Sequence, residues 1–134
     1  MKKKMVNKKT LNEQLPATIK IGWKDVKLER VKTSFIKNNS DYWGQYVARE
    51  NKIEIQEEAK GLDLANTLLH EVIHAIVYHS SLNAQGGPLH DDDHEEQAVN
   101  SMTNWMMTVL RDNPWFLETI KQSIAEEKEK DKKK

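Results

Sequence analysis

The chain has 134 residues, 37% of them hydrophobic and 31% charged, with no cysteine and a formal net charge of zero. That suits one domain with a modest core and charged ends, and it excludes a disulfide framework or a thiolate metal site, so any metal must be held by His, Asp or Glu. The zero hides a split, eleven Lys/Arg against three acids in residues 1–37 and ten against eighteen in the remainder, which reads as two solvated surfaces attracting one another; without interleaved aromatic residues, nucleic acid is not expected as a partner.

Residues 1–14 are polar and lysine-rich and are expected as a flexible basic arm ahead of a domain spanning 15–125. No apolar segment follows the start MKKKMVNKK, and no apolar run is long enough to cross a bilayer. Membrane association is therefore not expected, and a cytoplasmic location is the default. Ala17 to Trp23 alternates as a short strand, and Asp25 to Phe35 leans toward strand or mixed structure. After the turn cluster Asn38-Asn39-Ser40-Asp41 come two β-rich runs, Tyr42–Ala48 and Lys52–Gln56, joined by Arg49-Glu50-Asn51 as a hairpin. The second run places Ile53 and Ile55 inward and Glu54 and Gln56 outward, and its edge could hold an extended peptide by main-chain hydrogen bonds.

Gly61 and Asp63 predict a stop and an N-cap for a helix from about Leu64 to Tyr78 or His79. Apolar residues from Leu64 to Val77 cover most of its circumference and leave one polar stripe, Asn66, Thr67, His70, Glu71, His74 and Tyr78. His70 and His74 lie one turn apart on that stripe, where both imidazoles can reach one metal ion, with Glu71 beside them in the order His-Glu-x-x-His. Burying these groups without partners would be costly, and a metal ion with a water for Glu71 to hold would satisfy them.

Ser80 to Asp93 is expected as a loop, marked by Gly86-Gly87-Pro88 and Asp91-Asp92-Asp93. A helix from about His94 to Arg111 follows, with Ala98, Val99, Met102, Trp105, Met106, Val109 and Leu110 on its inner side as core packing. Asn113-Pro114 breaks the chain, Pro114 opens a short amphipathic helix, and Glu126–Lys134 is a charge run expected to be frayed or disordered.

A catalytic zinc ion takes three protein ligands and leaves a position for water. The variant of the motif with Gly and a further His beyond the second histidine is absent, because Val77 and Ser80 occupy those places. That turns attention to His90, His94, Glu95 and Glu96. Counting back from Met102, Val99 and Ala98 favours Glu95 as the third ligand, whereas Asn100, four residues beyond Glu96, favours Glu96. The expected set is thus metal ligands His70, His74 and Glu95 on Zn2+, with Glu71 as the base that takes the proton of a metal-held water. Tyr46, Tyr78, His90 and His94 are unranked candidates to donate to a developing oxyanion.

Leu69-His70-Glu71-Val72-Ile73-His74-Ala75 preceded by a β-hairpin, with Glu95-Glu96-Gln97-Ala98-Val99-Asn100 opening a helix that ends Val109-Leu110-Arg111-Asp112-Asn113-Pro114, resembles small zincin-like metallopeptidases of phages and prophages. More distantly it is similar to the ImmA/IrrE family. The likeness covers roughly residues 17–120. It implies an α+β, minimal zincin-like fold: a small antiparallel sheet packed on the His-Glu-x-x-His helix, a glutamate-bearing helix beside it and a short C-terminal helix. It also implies zinc as the metal and a peptide bond in a protein or peptide as the substrate. The alternative expectation is a catalytically silent zincin-fold module that binds a host or phage protein.

Overall fold

In the computed structural model, which describes residues 15–32, 35–37 and 40–132, the alternating segments at the start become β1 (Thr18–Ile21) and β2 (Lys24–Val31). They form an antiparallel hairpin whose turn needs the positive φ of 64° that Gly22 supplies. The expected basic arm lies outside the described residues. Two short strands, β3 (Phe35–Lys37) and β4 (Ser40–Tyr42), make an antiparallel ribbon of their own. Then β5 (Gly44–Val47) and β6 (Lys52–Gln56) form a hairpin through a 3-10 turn at Ala48–Glu50, closed by Asn51 in the left-handed region at φ 53°.

The main sheet has the order β1-β2-β6-β5, and it is mixed, not wholly antiparallel as expected. β6 runs parallel to β2, with Leu28 opposite Ile53 and Arg30 opposite Ile55. The physical reason is the length of chain between them. The β3–β4 ribbon and β5 form a connection long enough to return β6 in the direction of β2, which a tight hairpin cannot do. The same insertion makes β6 central and leaves β5 at the border, so the edge expected of Lys52–Gln56 belongs to β5.

The registers put Ile19, Val26, Leu28, Ile53, Ile55, Gly44 and Tyr46 on one face. The other face carries charge: Lys52 lies within 3.2 Å of Glu54 and 3.6 Å of Glu29. Such a sheet must cover its apolar side. It does so with α1 (Leu62–His79), whose Leu64, Leu68 and Val72 pack against Val26, Ile53, Ile55 and Ala59. The helix starts two residues before the expected Leu64, with Gly61 at its N-cap at φ 57° and Asp63 inside the first turn, where its charge favours the positive end of the helix. Arg30 ties β2 to the connection that leads into α1, its guanidinium donating to the carbonyls of Gln56, Glu57 and Ala59 at 2.9, 3.0 and 2.7 Å.

Sheet and helix lie close at Gly44, where a Cβ would stand 2.7 Å from Thr67 Cγ2 and 2.8 Å from the Glu54 carbonyl. Only glycine fits. Gly44→Ala is expected to lower the unfolding free energy by about 1–3 kcal/mol, read from the urea midpoint, because either β5 or α1 must move to admit the methyl group.

Helix α2 (Asp92–Asp112) starts at a cap, Asp91, whose side chain accepts from the Asp93 and His94 amides at 2.9 and 3.2 Å. It runs antiparallel to α1: Glu95 lies by His74, Glu96 by His70, and Asn104 by Asn66. The expected packing of its inner side occurs only in part: Val99 is buried and Ala98 and Leu110 are half-buried. Only Val99 and Thr103 are buried, whereas Met102, Trp105 and Met106 are 46%, 72% and 42% exposed. Asn113 closes α2 through its side-chain amide on the Val109 carbonyl, and α3 (Pro114–Lys132) follows at once. The segment from Glu126, expected to be frayed, continues α3 as far as Lys132. Its charges pair at three-residue spacing, Glu127 with Lys130 and Glu129 with Lys132, and lysines at the end of the helix complement its dipole. The architecture is therefore α+β, a small mixed sheet and three helices, and no helix among the described residues is long and apolar enough to cross a membrane.

Candidate metal centre

The polar stripe of α1 is enclosed on two sides. Gly44 lets β5 approach on one, and the opening turn of α2 stands on the other. Glu71, the most deeply buried of the three motif residues at 6% exposure, lies on the β5 side and accepts a hydrogen bond from the Tyr46 backbone N–H. Burial pushes its carboxyl upward, Glu96 adds to the rise, and the nearby imidazoles of His70 and His74 oppose it. A buried base of this kind is stronger than an exposed glutamate.

On the α2 side the two histidines converge. Their Nε2 atoms are 3.1 Å apart, and the Glu96 carboxylate bridges them, one oxygen 3.0 Å from His70 Nε2 and the other 3.1 Å from His74 Nε2. Glu95 takes the opposite side of the His74 ring, where Nδ1 donates to its Oε2 at 2.5 Å, and Asn83 Nδ2 donates to its Oε1 at 2.9 Å. The structure thus places Glu96, not the expected Glu95, against the two nitrogens that face one point. Counted from the buried Val99, Glu95 lies four residues back and Glu96 three, so both reach α1 and helical facing alone does not separate them. The buried stripe of α2 is Val99 and Thr103, three and seven residues after Glu96, and that stripe faces α1.

These groups fit a zinc ion by donor type and spacing. Two nitrogens on a tetrahedral zinc at about 2.0–2.1 Å stand roughly 3.3 Å apart, close to the separation found, and a carboxylate completes a three-ligand set. His70, Glu71 and His74 also offer ligand atoms that all lie within 4.8 Å of one another. With Nδ1 donating its hydrogen bond to Glu95, His74 would offer a lone pair on Nε2 to a metal ion once the Nε2 proton now shared with Glu96 is released.

The remaining candidates are elsewhere. His90 and His94 are exposed, Tyr78 is 43% exposed, and the Tyr46 hydroxyl is 3.3 Å from His79 Nε2. None of the four is brought against the convergent nitrogens. Asn83 was missed altogether. Its only trace in the sequence is a polar side chain early in a glycine-rich loop, which says nothing about where it points.

The same contacts set the pH response of the metal-free protein. Hydrogen bonds from His70 and His74 hold Glu96 well below its ordinary 4.5, so its contribution to stability is present above that value and is lost on further acidification. For His74, burial opposes the charge, but hydrogen bonds to Glu96 and Glu95 outweigh it and raise the group above 6.5; that contribution is present below 6.5 and is lost as pH rises through the raised value. Urea midpoints of the metal-free chain are therefore expected to peak between about pH 4.5 and 6.5. Saturating zinc should move the peak upward, because the metal and the Nε2 proton compete.

No protein-family model, characterised protein or solved structure matches this chain.

Proposed function

We propose that the chain is a zinc-dependent metallopeptidase with a zincin-like centre, of the small phage or prophage kind, hydrolysing a peptide bond in a protein or peptide. The observation that carries the reading is the convergence of His70 Nε2, His74 Nε2 and the Glu96 carboxylate beside the buried Glu71. His70, His74 and Glu96 would hold the ion. When bound, zinc supplies a Lewis acid for the scissile carbonyl and lowers the pKa of a water toward about 7. Glu71 receives the proton of the attacking water on a carboxylate oxygen and delivers it to the leaving amine nitrogen. β5 borders this base, and no strand lies on its outer side among the described residues. A peptide laid along it in extended form is held by main-chain hydrogen bonds and carries its carbonyls past Glu71.

A second reading is supported by one observation, the apolar surface that α2 and α3 leave uncovered, with Trp105 and Trp115 72% and 63% exposed. Such a surface suits a zincin-like module that acts by binding a protein rather than by turnover. The test begins with metal content by elemental analysis. About one zinc per wild-type chain and none in His70→Ala/His74→Ala is the expected result. If neither protein carries zinc while both remain folded, the peptidase reading falls and the binding module takes its place. A wild type that holds zinc but cleaves no unfolded protein or peptide-library substrate also favours the binding module.

A further inference from the structure

We infer that Asn83, in the loop between α1 and α2, is a positioning residue: it fixes Glu95, and through Glu95 it fixes the ring of His74. The consequence for metal binding rests on the zinc reading above, whereas the orientation of His74 does not. His74 stands between two carboxylates that are neighbours in the chain. Glu95 is on Nδ1 at 2.5 Å and Glu96 is on Nε2 at 3.1 Å. Glutamate side chains are long, and two at the start of one helix could exchange roles. Asn83 removes that freedom for Glu95 by donating to its second oxygen at 2.9 Å, so both oxygens are engaged and neither reaches the Nε2 side. With Glu95 held, its charge polarises the Nδ1–H bond and makes Nε2 the better donor to a metal.

The loop is built to hold Asn83 in place. Leu82 N–H donates to the Val77 carbonyl at 3.1 Å, and Leu89 N–H returns to the Leu82 carbonyl at 2.9 Å, closing the loop across its base. Ser81 adopts a φ of 65°, an unfavourable value for a residue with a side chain, to make the turn into Asn83. At Gly87 a Cβ would lie 2.5 Å from the Leu82 carbonyl oxygen. A methyl group there displaces the segment that carries Asn83 without touching the histidines. Asn83 and Glu95 are both partly buried, so their hydrogen bond competes less with water than a surface contact would.

The experiment measures zinc affinity by chelator competition in wild type, N83A, N83D, G87A, E95A and N83A/E95A, alongside the proton NMR signal of His74 Nδ1–H in the metal-free proteins. N83A is expected to bind zinc roughly tenfold more weakly, within the range for loss of a supporting partner. N83D should bind more weakly still, because a second carboxylate then faces Glu95, a difference that a merely structural loop residue would not produce. G87A should follow N83A. N83A/E95A should bind no more weakly than E95A alone, since both changes cut one chain of contacts. The downfield Nδ1–H signal of the wild type should be lost or broadened in N83A while the circular dichroism spectrum is unchanged. Unaltered zinc affinity and an unaltered Nδ1–H signal in N83A and N83D overturn the inference, as do losses that simply add in the double variant. A wild type that binds no zinc, yet whose Nδ1–H signal depends on Asn83, upholds the positioning role and overturns the peptidase reading.

Discussion

Glu71→Gln is expected to retain about one zinc per chain and to lose hydrolysis by roughly 10²–10⁴-fold in kcat, the usual worth of a positioned general base. Glutamine has the size of glutamate, so the site that leaves Glu71 only 6% exposed accommodates it, and the Tyr46 N–H can still donate to the amide oxygen. The three groups proposed to hold the metal are untouched. What disappears is the ability to take a proton from water, and that loss should fall on kcat more than on KM. Zinc content and turnover measured on the same preparation check this directly. Full activity in the variant would remove Glu71 from the mechanism, and loss of zinc together with activity would mean that Glu71 holds the metal instead of serving it.

Glu96→Ala is expected to weaken zinc binding well beyond the roughly 10–100-fold range of a supporting partner, while Glu95→Ala should stay within that range. The order follows from which nitrogens each carboxylate meets. Glu96 touches both Nε2 atoms, at 3.0 and 3.1 Å, and its removal deletes the oxygen donor at the point of convergence. Glu95 touches only Nδ1 of His74, so its removal loosens a ring that can still bind through Nε2. Metal affinities of the two variants, determined by competition against a common chelator, decide the matter. The reverse order would show that the α2 turn rearranges when metal enters and brings Glu95 inward.

Much of this molecule was legible in the chain because local chemistry governs it. The alternation of Ile53 and Ile55 with Glu54 identifies β6, since a half-buried strand has a period of two residues and nothing else nearby competes. The spacing of His70 and His74 puts both rings on one face of any helix that forms there, and Asn113-Pro114 cannot lie inside a helix, so the break between α2 and α3 was equally plain. Glycine at position 44 is a different case. It stands out in the sequence, but its reason, a close approach to Thr67, exists only once α1 lies on the sheet.

What tertiary structure alone decided is how elements distant in the chain meet. The parallel pairing of β2 with β6 depends on where the intervening ribbon goes, and no residue of either strand encodes it. The choice between Glu95 and Glu96 turns on a rotation of about 100° about the axis of α2, one residue's worth on a helix. That rotation is set by Val99 and Thr103 packing on α1, whereas Met102 and Trp105, which look like core residues by composition, are left 46% and 72% exposed on other faces of α2. Asn83 reaches Glu95 only through the folded course of a loop. The chain by itself determined which groups could bind a metal, since that follows from residue type and helical period; which of them converge was determined by the packing of α2 on α1, a property of two surfaces and not of either sequence alone.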